Sequence, residues 1–159
     1  MVEPQTIYAT AIDCAGQGVA LRGPSGVGKT DLALRCLCAS LGPLAPAPFQ
    51  LVADDRVQVV VRDGYVELAA PAATRGLVEV RGVGIIKLPE QLVVGPDARS
   101  RLTLVVDLAS RAPERLPPTP LPLVDIAGVG VPCLQLAGFE ASTPLKIALA
   151  LAGLGSCIW

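Results

Sequence analysis

Gly23-Pro-Ser-Gly-Val-Gly-Lys-Thr30 satisfies every fixed position of the phosphate-loop pattern G-x-x-x-x-G-K-[ST]. Glycines at 23, 26 and 28 let the backbone curl until successive N–H groups point inward, where a side chain would block a polyphosphate. Pro24, Ser25 and Val27 complete the loop. A helix beginning near Lys29 adds the positive end of its dipole. In such a loop Lys29 bridges the terminal phosphates and the Thr30 hydroxyl ligates Mg²⁺. The plain alternative is a glycine turn that happens to precede a helix. Against it, the β-rich run Val19-Ala20-Leu21 leads into the loop. Behind the loop, Leu32, Leu34, Leu37 and Leu41 recur along a predicted helix over 31–41.

A metal in that loop needs an acidic partner, and three apolar strands run into one. They are Leu51-Val-Ala-Asp54-Asp55, Leu104-Val-Val-Asp107 and Leu123-Val-Asp125. The third continues Ile-Ala-Gly128 and mimics the D-x-x-G of GTPases, but no N-K-x-D guanine reader occurs in the chain. Asp107 reads as a strand-end residue. The Asp54–Asp55 pair differs in kind, because adjacent carboxylates repel unless a cation or a shared proton compensates. That coupling can lift one of them toward the range of a general base. On a strand the two would point to opposite faces, so one at most meets a γ-phosphate. Two solvated turn aspartates is the competing reading.

Composition removes other chemistries. Histidine is absent from the 159 residues, which excludes Ser-His-Asp and Cys-His catalysis and any His-ligated zinc. Five cysteines (Cys14, Cys36, Cys38, Cys133, Cys157) form no C-x-x-C, and Cys36 and Cys38 read as small buried hydrophobes. A net charge of −1 offers no concentrated positive field for nucleic acid. Although 52% of residues are hydrophobic, no uncharged run reaches the roughly 18–20 residues of a membrane span. The longest candidate, Leu145 to Trp159, contains Lys146. The N-terminus lacks the basic and apolar regions of a secretory signal. These features together predict a soluble, cytoplasmic protein of one domain over 1–159, with its motifs between about 6 and 152.

The elements that must position these residues are mostly strands. Residues 7–14 and 18–22 predict two strands around a glycine turn, and 50–53 a strand ending at the aspartates. Residues 57–61 and 65–68 predict a hairpin about Asp63-Gly64. Segments 77–81 and 83–88 are β-rich but interrupted by Gly82 and Gly84, and 102–108 is another strand. A proline-rich connection leads to strands over 123–126 and 131–136. Ser142 or Thr143 caps a last helix with Pro144 in its first turn. The fold class is α/β, strand-rich, with two convincing helices.

With those segments in order, the chain resembles the catalytic domain of bacterial HPr kinase/phosphorylase. Three blocks carry the resemblance: Gly23–Thr30, Leu51-Val-Ala-Asp54-Asp55-Arg-Val57, and Val78-Glu79-Val-Arg81-Gly-Val-Gly-Ile-Ile86. The last is similar to the family's signature segment, with Glu79, Arg81, Gly82 and Gly84. Correspondence runs from about Tyr8 to Ala152, as in the short, single-domain versions. The resemblance implies a P-loop kinase domain like that of phosphoenolpyruvate carboxykinase. It implies transfer from Mg·ATP to a serine of HPr, the phosphocarrier of the sugar phosphotransferase system, by a homohexamer. By position, Lys29 then contacts the β/γ-phosphates and Thr30 and Glu79 contact the metal. Asp55 takes the serine proton, with Asp54 beside it. Arg115, in a segment similar to that of the family's active-site arginine, stabilises charge on the moving phosphoryl group.

Two departures concern the reverse reaction, in which inorganic phosphate attacks phosphoserine. The family's active-site histidine falls on Tyr8, whose phenol, with a reference pKa of about 10, cannot shuttle protons near neutrality. The family's basic loop corresponds to Leu134-Gln-Leu-Ala-Gly-Phe-Glu140, which has no arginine. Kinase activity is therefore the leading expectation, with a non-catalytic nucleotide-binding regulator or a small-molecule P-loop kinase as alternatives.

Overall fold

Val19–Leu21 and Leu104–Val106 are continuous apolar runs, as in strands buried on both faces. A computed structural model, describing residues 4–111 and 113–156, places both runs in one central sheet. In chain order its elements are β1 (Gln5–Tyr8), β2 (Thr10–Cys14), β3 (Gln17–Arg22), α1 (Lys29–Cys38), β4 (Gln50–Ala53), β5 (Arg56–Arg62) and β6 (Tyr65–Ala69). There follow β7 (Leu77–Val80), β8 (Gly84–Lys87), β9 (Ser100–Ala109), β10 (Leu123–Ile126), β11 (Val129–Ala137) and α2 (Thr143–Ser156). The sheet runs β1-β5-β6-β9-β3-β2-β4, with β11 also pairing to β9 and β10 to β11, while β7 and β8 form a separate hairpin.

Strand β9 organises the sheet. Parallel β3 lies along one edge, while the other edge is shared by the end of β6 at Ser100–Arg101 and by parallel β11 from Val105 to Ala109. A register shift between Gly18 and Val19 lets Leu102 face one core and Leu104 the other. Helices α1 and α2 cover the face formed by Ile12, Val19, Leu21, Leu104, Val106 and Leu108. Ala11, Ala20, Val105 and Cys133 belong to the second core on the opposite face.

Three local expectations are corrected. Residues 7–14 are two strands, because the chain breaks at Ala9, whose N–H donates to the Asp55 carbonyl at 3.2 Å; β1 then pairs with β5 and β2 with β3 and β4. Helix α1 ends at Cys38, not Leu41, since Gly42-Pro43 starts a short 3₁₀ turn. Cys36 and Cys38 are not both buried: about 200° apart on a helix, they cannot share a face, and Cys38 is exposed. Cys157 and the end of the apolar segment 147–159 lie outside the described residues, whereas Ile147, Ala148, Ala150 and Leu151 of α2 are core. No helix among the described residues is long and apolar enough to cross a membrane.

Burial pushes the Cys36 thiol up from 9.0 to about 12. A thiol raised on folding holds its proton more tightly in the native state, so its contribution is intact below the unfolded value. That contribution is lost as pH climbs from 9.0 toward about 12. Thermal unfolding followed from pH 8 to pH 11 should therefore show Tm falling above about pH 9. Cys36→Ala should lose less over the same interval, whatever its starting stability.

Candidate functional site

The phosphate loop joins the end of β3 to α1. Gly23, Gly26 and Gly28 have φ of 143°, 83° and 99°, the left-handed region that a side chain resists. Gly28 occupies the N-cap of α1 with no side-chain cap, so the helix offers its first N–H groups to a ligand. Lys29 donates from Nζ to the carbonyls of Gly23 (2.8 Å) and Pro24 (3.1 Å), which holds the ammonium across the mouth of the loop. Val27 is buried and anchors the loop to the core.

Asp54 ties three elements together. Its Oδ1 accepts hydroxyl hydrogen bonds from Thr30 of α1 and Thr10 of β2, each at 2.8 Å, and its Oδ2 accepts from the Glu79 N–H of β7 at 3.1 Å. A loop threonine joined to a carboxylate, with Glu79 in the same cleft, is a set of hard oxygen donors. Mg²⁺ fits such a set, because it commonly takes one or two carboxylates and completes its shell with phosphates and waters. Thr30, Asp54 and Glu79 are the residues that would hold it.

The neighbouring aspartate behaves differently. β4 ends at Ala53, so the pair is not on a strand and the opposite-faces expectation does not apply. Asp55 sits at φ 64° in a three-residue turn closed by the Arg56 N–H donating to the Asp54 carbonyl at 2.8 Å. Such a γ-turn is rare and costs on the order of 1–3 kcal/mol, strain that gathers at working sites. The turn separates the two carboxylates: Asp54 points into the hydrogen-bonded junction and Asp55 is exposed in the cleft. Among the described residues no hydrogen-bond donor reaches the Asp55 carboxylate.

A cleft of about 570 Å³ gathers most of the expected residues: Tyr8, Gly23, Ser25, Gly26, Gly28, Lys29, Thr30, Asp54, Asp55, Glu79 and Arg81. Arg81 leans over the loop, its guanidinium 3.9 Å from where a Cβ on Gly26 would sit. Arg115 is exposed in the connection between β9 and β10 and does not line the cleft. Among the described residues, Arg81 is the positive charge brought to the phosphate loop besides Lys29. Gly82 and Gly84 serve the tight tip of the β7–β8 hairpin, at φ 81° and 117°, and stay outside the cleft.

Two other aspartates resolve as structural. Asp107 accepts from Arg22 Nε at 2.8 Å and Nη2 at 2.9 Å on the far core's side, where burial first and Asp107 second push the Cys133 thiol up to about 11. Asp125 Oδ1 accepts the Gly128 N–H at 3.2 Å within the β10–β11 turn, so the D-x-x-G likeness is a hairpin. The sequence reading missed Thr10, fully buried and bonded to Asp54, and Phe139, an exposed ring on the rim of the cleft. An isolated threonine carries no signal. Phe139 had one, an aromatic directly after a glycine in a chain with two Phe, two Tyr and one Trp.

Removing the Asp54 carboxylate strands the hydroxyl of Thr10, which has no access to water. We expect Asp54→Ala to cost about 2–3 kcal/mol in chemical denaturation, and Thr10→Val, which removes both the donor and its need for a partner, clearly less.

Comparison with known proteins gives the chain a family. The family model of the HPr Serine kinase C-terminal domain matches residues 1–137. The HPr kinase/phosphorylase of Levilactobacillus brevis is 39% identical over 87 residues, 54% of this chain and 25% of that protein. That of Lactiplantibacillus plantarum is 32% identical over 117 residues, 72% of this chain and 35% of that protein. The chain thus spans between 25% and 35% of these curated relatives. The structure of the Hpr(Ser) kinase/phosphatase from Coxiella burnetii superposes with a TM-score of 0.72 at 25% identity, covering 96% of this chain and 98% of that one. The family model covers most of the chain, and the chain therefore belongs to the HPr serine kinase C-terminal domain family.

Proposed function

We propose that the protein is a Mg·ATP-dependent serine kinase whose acceptor is an HPr-type phosphocarrier. The observation that carries the reading is the shared cleft, with phosphate-loop residues Lys29 and Thr30 on one wall and an unengaged carboxylate, Asp55, facing them. Phosphoryl transfer asks little covalent chemistry of the protein and much positioning and charge neutralisation. The loop N–H groups and Lys29 hold the β- and γ-phosphates. Arg81 offsets the charge that develops on the equatorial oxygens. Asp55 accepts the serine proton as the hydroxyl oxygen bonds to the γ-phosphorus, and the bond to the β–γ bridging oxygen breaks to release ADP. When bound at Thr30, Asp54 and Glu79, Mg²⁺ supplies neutralisation of the triphosphate.

In the opposite direction phosphate would attack phosphoserine and leave as pyrophosphate. That step needs a second anion recruited and a proton moved, and the segment 134–140 offers no arginine while Tyr8 offers a phenol. The kinase direction is therefore the principal activity of this reading, carried out by a cytoplasmic homohexamer like that implied by the family resemblance.

The test incubates the protein with γ-labelled ATP, Mg²⁺ and HPr from the same cell. Label on an HPr serine supports the reading. Label on small-molecule acceptors in place of HPr, or nucleotide binding with no transfer to any acceptor, overturns it.

A further inference from the structure

Phe139 is 68% exposed, yet the turn that carries it is held from several sides. Arg35 of α1 donates to the carbonyls of Gly138 and of Glu140, the latter at 2.9 Å, and its Nε is paired with Asp31 at 2.9 Å. Thr143 spends its hydroxyl on the Ala137 carbonyl at 2.7 Å, and Lys146 pairs with Glu140. Gly138 is required, because a Cβ there would collide with the Val27 carbonyl of the phosphate loop. The ring lies against Gly28, with edge carbons 3.0 Å from the position a Cβ would take. A fixed, solvent-facing aromatic costs the fold apolar exposure and returns little stability.

The cleft is also asymmetric. Asp54, Asp55, Glu79 and Arg81 gather on one side, with Tyr8 and with Val80 between two of the charges, whereas Phe139 and Leu34 line the α1 side, where Asp31 is already paired with Arg35. A nucleotide whose phosphates occupy the loop must direct its base along one wall. Packing a planar heteroaromatic base beside the Asp55 and Glu79 carboxylates, which have no ion-pair partner among the described residues, would strip them of water at a cost, while stacking it on an aromatic face is favourable. Resting on the phosphate-site reading above, we propose that Phe139 is the stacking platform for the base of the donor nucleotide. The Arg35-clamped turn is the device that holds it next to the phosphate loop.

The test compares two Mg²⁺-loaded probes by calorimetry: β,γ-imido-ATP, which has a base, and inorganic tripolyphosphate, which has none. Phe139→Ala should weaken the nucleotide about tenfold or more. It should leave tripolyphosphate within about twofold, and Phe139→Tyr should restore nucleotide affinity to within about threefold. Unchanged nucleotide affinity in Phe139→Ala, or an equal loss for both probes, overturns the stacking role; the latter would make the ring a prop for Gly28. A rise confined to the KM for the acceptor protein would also overturn it, by moving Phe139 to acceptor docking. Wild-type protein that binds neither probe would instead overturn the phosphate site itself.

Discussion

Asp55→Asn should lower the rate of phosphoryl transfer by about 10²–10⁴-fold, the usual worth of a positioned general base. The substitution is close to isosteric, and asparagine is among the few residues that accept a left-handed backbone, so the turn at φ 64° should survive. What is lost is the capacity to take a proton. Because Asp54, not Asp55, engages the Thr30 hydroxyl, the affinity for Mg²⁺ and nucleotide should change by less than about threefold. Single-turnover transfer measured beside nucleotide binding separates the two effects. A fall of less than about tenfold in the chemical step would mean that the acceptor hydroxyl is activated elsewhere. Asp55→Gly supplies a second check: it should remove the strain of the turn and be no less stable than wild type, while remaining as slow as the asparagine variant.

Lys29→Met is expected to act on both binding and chemistry. Among the described residues the ammonium is the one lysine charge lining the cleft, and its present acceptors are the carbonyls of Gly23 and Pro24, groups that water can satisfy in its absence. The fold should therefore lose less than about 1 kcal/mol, since exposed hydrogen bonds exchange with solvent at little net cost. Transfer should fall by about 10²–10³-fold, the loss typical when one preorganised donor is withdrawn from developing charge. Affinity for tripolyphosphate should fall as well, which distinguishes this variant from Asp55→Asn. Calorimetry with tripolyphosphate, together with single-turnover transfer, reads both. Arg81→Met would show how much of the remaining stabilisation comes from the hairpin.

The phosphate loop could be read directly from the chain because its chemistry is local. Gly23 to Thr30 form a loop whose three glycines take left-handed φ and lead into a helix N-terminus, so eight consecutive residues carry nearly the whole specification. The Asp63-Gly64 hairpin is of the same kind, its two turn residues adopting φ of 50° and 80° as that dipeptide favours. Arg115 shows the limit. A match in a short, proline-rich segment proposed a place in the site, but nothing local to that segment fixes where a connection between β9 and β10 will run.

By itself the sequence determined the strand leading into the glycine loop, the loop and helix that follow it, and the presence of an acidic pair after β4. These follow from residue type and spacing over stretches shorter than about a dozen residues. Only the tertiary structure decided which aspartate does what. The γ-turn at Asp55 turns one carboxylate toward Thr10, Thr30 and Glu79, residues 44, 24 and 25 positions away along the chain, and leaves the other facing the cleft. It likewise decided that Arg81 and Phe139 flank the phosphate loop, because the packing of a hairpin and a clamped turn against α1 depends on contacts between distant segments, which no local pattern encodes.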